Sequence, residues 1–237
     1  MSDLAYPGRH GQVRAYLAEP AGGGPWPGVV LVHDAWGMSG DLRAHADRFA
    51  ASGYLALAPD LYSWGRKLTC IRATFADLRA RSGRAFDDID AARAWLAARS
   101  DCTGRVGVIG YCMGGGFALL AAVPARGFSA SSVNYGQVPE DAEFILAGAC
   151  PIVGSFGGRD RALPGAAARL STALEGLGVE HDVREYPGAG HSFMNDHGGL
   201  MVVARVYGVG YDAAAAEDAW RRILAFFATH LGDGRDG

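Results

Sequence analysis

The sequence predicts an α/β fold, a mostly parallel central sheet with helices on both faces. Three observations predict it. Strand-length apolar runs alternate with helical patterns from Val29 to the end of the chain, as in repeated βα units. Those runs are rich in Val, Ile and Leu with little polar alternation, as expected for strands covered on both sides. A glycine-rich turn near mid-chain joins one such run directly to a helix-forming run.

The elements follow in order. An N-terminal β-hairpin is expected before the loop Ala21-Gly-Gly-Gly-Pro-Trp-Pro-Gly28, whose Gly and Pro break regular structure. Strands are expected over Val29–His33, Tyr54–Ala58, Val106–Ile109, Ser131–Tyr135, Ile152–Phe156 and His181–Tyr186. Helices are expected over Asp41–Ser52, Asp87–Arg99, Gly165–Gly176 and Asp212–His230, with a helix-forming run at Phe117–Ala122. In the second of these, Ile89, Ala92, Trp95 and Leu96 share one face.

Composition bounds the function. The 237 residues are 49% hydrophobic and 20% charged, with a net charge of -3, which suits one globular domain over 1-237 with its core at about 10-231. No basic cluster marks a nucleic-acid surface, because the arginines are scattered among acids. Residues 1–10 lack the apolar core of a signal peptide. Cys70, Cys102, Cys112 and Cys150 are irregularly spaced, which reads as reduced thiols in a cytoplasm. Val106 to Val123 is 18 residues without a charge, the length of a short membrane span. Five of them are glycine and Pro124 closes the run, so strand-turn-helix fits better and no membrane association is expected. A monomer with a small-molecule substrate is expected, and the tail from Gly232 should fray.

The chemistry starts at Gly110-Tyr-Cys112-Met-Gly114. This is a G-x-nucleophile-x-G elbow, with cysteine where serine usually stands. Such a turn is tight, so the residues flanking the nucleophile need almost no side chain. It also puts the sulfur at a helix N-terminus, where the dipole favours thiolate. Two alternatives compete. Cys112 is read either as this nucleophile or as a buried structural thiol. Gly110, Gly114 and Gly116 also fit a dinucleotide loop, which would make the protein a nucleotide-dependent oxidoreductase; but no ribose-binding acid follows in the next strand-like segment.

A nucleophile needs a base, and the base an orienting acid. After Cys112 the chain offers Asp160 in a Gly-rich loop past one strand, then His191 in another past the next. Order, spacing and strand-end position together predict a hydrolase triad. A metal cluster of His191, Asp196 and His197 is the competing use of the second loop. No motif with defined ligand geometry supports it, so no metal is expected.

With Gly110-Tyr-Cys-Met-Gly-Gly115, Gly158-Arg-Asp160, Gly190-His-Ser-Phe193 and Pro59-Asp-Leu-Tyr62 in place, the chain resembles the dienelactone hydrolase family. The resemblance implies the α/β-hydrolase fold and hydrolysis of small carboxylic esters or lactones, with no cofactor. It implies Cys112 as nucleophile, His191 as general base and acid, and Asp160 as the orienting carboxylate. The oxyanion hole would be the backbone N–H groups of Met113 and Ala35. The family also places a glutamate beside the thiol, and Asp34 stands there, one methylene shorter. Its competing use is to cap the next segment. His33 is read as structural. Family arginines hold a substrate carboxylate. Asn195 stands near one of those positions, where no arginine is present, and Lys67, Arg72 and Arg79 are candidates for the other, with Arg72 taken as the candidate substrate-binding residue. Trp36, Tyr62, Trp64, Tyr135 and Phe193 are read either as pocket walls or as core aromatics. Asn195–Tyr211 is the candidate rim. A non-catalytic binding protein on the same fold is the remaining alternative.

Overall fold

The computed structural model describes residues 1–197 and 209–232. One eight-stranded sheet runs through it in the order β1-β2-β4-β3-β5-β6-β7-β8. The strands are β1 (Ser2–Gly8), β2 (Gly11–Ala18), β3 (Trp26–Val32), β4 (Leu55–Pro59), β5 (Cys102–Tyr111), β6 (Ala130–Asn134), β7 (Ile152–Gly157) and β8 (His181–Tyr186). The first two form the expected hairpin, closing at Gly8 opposite Gly11. Strand β2 pairs antiparallel with β4, and every pair from β4 across to β8 is parallel.

The helices are α1 (Gly40–Ala51), α2 (Lys67–Ala80), α3 (Arg84–Ala97), α4 (Met113–Ala121), α5 (Ala142–Ile145), α6 (Ala166–Leu177) and α7 (Ala213–Leu231). Alternate side chains of each strand feed opposite faces. Val29, Leu31, Ile109 and Tyr111 point to the face covered by α1 and α7, where Phe49, Trp220 and Phe227 pack. Val30, Val32, Val106 and Val108 point to the face covered by α3 and α4, with Phe86, Ile89 and Phe117. Helix α6 closes a third cluster over β6 and β7. The sheet is therefore sandwiched between helices, as the alternating pattern predicts.

Two departures have physical causes. Helix α2 is absent from the expected helices: its apolar stripe of Ile71, Phe75 and Leu78 packs against the core but is only partly buried, and Cys70 and Thr74 alone are fully buried. Strand β8 is not buried on both faces. It is the sheet margin, with Arg184 and Glu185 exposed. The charge-free run from Val106 becomes the end of β5 and helix α4, and among the described residues no helix is long and apolar enough to cross a membrane. The tail predicted to fray lies outside the described residues beyond Gly232.

Candidate active site

Strand β5 delivers the chain to Cys112, and α4 leaves from it. Cys112 has φ 56° and ψ -115°, a backbone state that L side chains rarely adopt. What holds it there is close packing on both sides. A Cβ added at Gly110 would meet the carbonyl of Gly114, and one at Gly114 would meet the carbonyl of Val32. The Cys112 N–H donates to the Asn134 carbonyl at 3.0 Å, and the Gly116 N–H returns to the Cys112 carbonyl at 3.3 Å. The thiol is part-exposed at the first turn of α4, whose N–H groups have no intrahelical acceptor. Met113, bearing one of the two expected oxyanion donors, opens that turn. Ala35, bearing the other, lies just past the end of β3.

Asp160 and His191 come from the loops after β7 and β8. These loops touch backbone to backbone. The Arg159 N–H donates to the Ala189 carbonyl at 2.9 Å, and the Gly158 N–H to the Tyr186 carbonyl at 2.8 Å. A Cβ at Gly157 would stand 2.5 Å from the Gly190 carbonyl oxygen. The contact brings His191 Nδ1 to 2.6 Å from Asp160 Oδ2, while Asp160 Oδ1 accepts from the Ala162 N–H at 2.9 Å. Asp160 is buried, 6% exposed. Burial opposes charge on the His191 ring. Hydrogen bonding to Asp160 and to the Cys112 sulfur outweighs it and pushes the ring up to about 10. With Nδ1 committed to Asp160, Nε2 is left for the sulfur.

Asp34 is also buried at this site, but both its oxygens are engaged. Oδ1 accepts from the Trp36 N–H at 2.8 Å within a local turn, while the next helix, α1, is capped by Ser39 rather than by Asp34. Oδ2 lies 2.7 Å from His197 Nε2. Asp34 pushes the His197 ring up, against burial. Burial first, then the charges of Asp34 and Cys112, push the Tyr62 hydroxyl up, which places both groups near that ring. His197 was weighed as a metal ligand with His191 and Asp196. Among the described residues no cluster is arranged to hold a metal ion. Its pairing with Asp34 spans most of the chain and left no local signal in the sequence.

The other named residues fall into three settings. Trp36 is exposed at 52% and packs against His197. Arg72, Arg79 and Lys67 are exposed on α2, and among the described residues none makes an ion pair. Tyr62, Tyr135 and Phe193 are buried. Phe193 is packed between Tyr135 and Tyr186, beneath the His191 loop. Asn195 is also buried. It accepts from the Tyr135 hydroxyl and donates to Asp41 Oδ2 at 2.6 Å, tying the His191 loop to α1. Most of the candidate rim, residues 198–208, lies outside the described residues.

The chain is similar to known proteins over most of its length. The model of the dienelactone hydrolase family matches residues 13–231. A protein of Azospirillum brasilense named "Putative carboxymethylenebutenolidase" is 32% identical over 252 residues, covering 98% of this chain and 100% of that protein. One of the same name from Methylorubrum extorquens is 29% identical, over 95% of this chain and 79% of that protein. The crystal structure titled a putative dienelactone hydrolase from Klebsiella pneumoniae superposes with a TM-score of 0.78 at 26% identity, covering 96% and 97% of the two chains. The family match over residues 13–231, together with the strand order, makes this chain a hydrolase of the α/β-hydrolase fold and a member of the dienelactone hydrolase family.

Proposed function

We propose that this protein hydrolyses small carboxylic esters or lactones through a thioester acyl-enzyme on Cys112. The observation that carries the reading is the His191–Asp160 contact of 2.6 Å, beside the elbow cysteine, whose sulfur helps to raise the same ring. The raised His191 ring favours imidazolium beside thiolate, the pairing that activates a cysteine. The thiolate attacks the ester carbonyl carbon, and the carbonyl π electrons move onto oxygen. The Met113 and Ala35 N–H groups stabilise that oxyanion, each typically worth about 10²–10³-fold. The oxyanion collapses, and the alcohol leaves with the proton of His191. Water then attacks the thioester, giving its proton to His191 and regenerating the thiol. Asp160 keeps the ring in the tautomer that presents Nε2 to sulfur.

Asp34, clamped by His197, holds negative charge near the sulfur and modulates the thiol. Trp36 is the substrate-facing aromatic, because it is the most exposed of the candidate pocket walls and packs beside the Asp34–His197 pair. The reaction needs no cofactor or metal, and the chain acts as a single catalytic domain.

Hydrolysis of p-nitrophenyl acetate and cis-dienelactone by wild type and Cys112→Ala tests the proposal. Turnover by wild type and none by the variant is the expected result. Cleavage of the activated ester alone keeps the chemistry and removes dienelactone as substrate. Equal rates in both proteins would sink the nucleophile assignment.

A further inference from the structure

We propose that His33 and Tyr62 are positioning residues that aim the Ala35 N–H at the carbonyl oxygen under attack. The inference rests on the preceding reading of Ala35 as an oxyanion donor. A peptide unit is planar and trans, so its N–H points opposite to its C=O. Fixing the Asp34 carbonyl therefore fixes the Ala35 N–H.

His33 does this from the buried side. The ring is fully buried, and its Nδ1 lies 2.6 Å from the Asp34 carbonyl oxygen. The Gly37 N–H donates to the same oxygen at 3.2 Å. On the other side of the ring, Nε2 accepts from the Leu61 N–H at 3.2 Å. A carbonyl on one nitrogen and an N–H on the other permit one neutral tautomer, with the proton on Nδ1. Burial pushes the His33 ring down, which keeps it neutral. The imidazole is thus a fixed spacer between the end of β3 and the chain just past β4.

Tyr62 secures the next peptide. Its ring stands edge-on to His33, with centroids 4.6 Å apart. Its hydroxyl donates to the Ala35 carbonyl at 3.3 Å and lies 3.8 Å from Met113 Sδ, on the residue that bears the other donor. Asp60 Oδ1 accepts from the Tyr62 N–H at 3.0 Å, anchoring the tyrosine itself. The carbonyls on both sides of Ala35 are therefore held from within. Tyr62 is 6% exposed and His33 not at all, so the pair acts through the backbone rather than on substrate.

The test separates acylation from nucleophilicity. Acylation by p-nitrophenyl acetate needs the oxyanion donors, whereas alkylation of Cys112 by iodoacetamide needs only the thiolate. His33→Leu should slow acylation about 10–100-fold, part of what a lost donor costs. Alkylation should stay within about twofold, and the Ala35 amide signal in a nitrogen-15 spectrum should shift. His33→Asn, whose side-chain N–H reaches the place of Nδ1, should recover most of the rate. Tyr62→Phe should shift the same amide and slow acylation several-fold. Wild-type acylation in His33→Leu overturns the proposal, as does a parallel fall in acylation and alkylation. If His33→Leu does not fold, Tyr62→Phe decides, and an unmoved Ala35 amide with an unchanged rate overturns it. If wild type shows no acylation, the esterase reading falls by itself. The amide then still judges the positioning: a shift in His33→Leu supports it, and no shift overturns it.

Discussion

At the scale of residues, the site consists of two acid–histidine pairs around one sulfur-bearing turn: Asp160 with His191, and Asp34 with His197. The His191 pair makes a titration prediction. Its ring is raised above the ordinary value of 6.5 to about 10. A group raised on folding contributes stability that is complete below the unfolded value and is lost as pH climbs through the folded one. The His191 contribution should therefore be full at pH 6 and fade towards pH 10. In Asp160→Asn the midpoint of the His191 ring, followed by NMR, should fall, and the urea midpoint should lose that part of its pH dependence. An unchanged ring midpoint would mean Asp160 does not hold the proton. The same variant should lower kcat by about 10²–10⁴-fold with little change in circular dichroism. Asn195 makes a second prediction. Leucine there would leave the buried Tyr135 hydroxyl without its acceptor and remove one of several hydrogen bonds to Asp41, costing roughly 1–3 kcal/mol in denaturant unfolding.

At the scale of elements, the elbow is a packing problem more than a sequence of chemical groups. Gly110→Ala or Gly114→Ala drives a methyl into backbone, which cannot turn aside as a side chain can. Either should cost about 3 kcal/mol or more, or prevent folding. Gly176, near the end of α6, has open space around its Cβ position. Gly176→Ala should raise stability by about 0.5 kcal/mol, seen as a higher thermal midpoint. The contrast explains what was legible in the sequence. Gly110, Cys112 and Gly114 are adjacent and obey a local steric rule, so the elbow could be read directly. Asp160 and His191 were found because each follows a strand. The strands themselves are apolar enough to mark to within four residues at either end. Helix α2 escaped because its burial is slight. His197 and Asn195 were missed in their actual roles, because pairing with Asp34 and Asp41 depends on how distant loops meet.

At the scale of the whole molecule, two helical layers hold the sheet, and the layer of α1 and α7 rests on aromatic contacts. Trp220 lies 4.9 Å from Phe49 between ring centroids, and both are buried. Trp220→Ala should lower stability by about 3–5 kcal/mol, measured by urea unfolding. A loss under 1 kcal/mol would show that α7 docks by other contacts. The sheet has two margins, β1 and β8, and among the described residues neither is continued by a further strand. An open margin is a template on which another chain can add a strand, the first step of fibre growth. Strand β8 meets this hazard with charge. Arg184 pairs with Asp218 at 2.7 Å and Asp182 with Arg222 at 2.7 Å, while Glu185 stays exposed. Strand β1 carries Pro7, which has no N–H to offer a visiting strand. The charges of β8 thus oppose the addition of a further strand as well as holding the margin to α7.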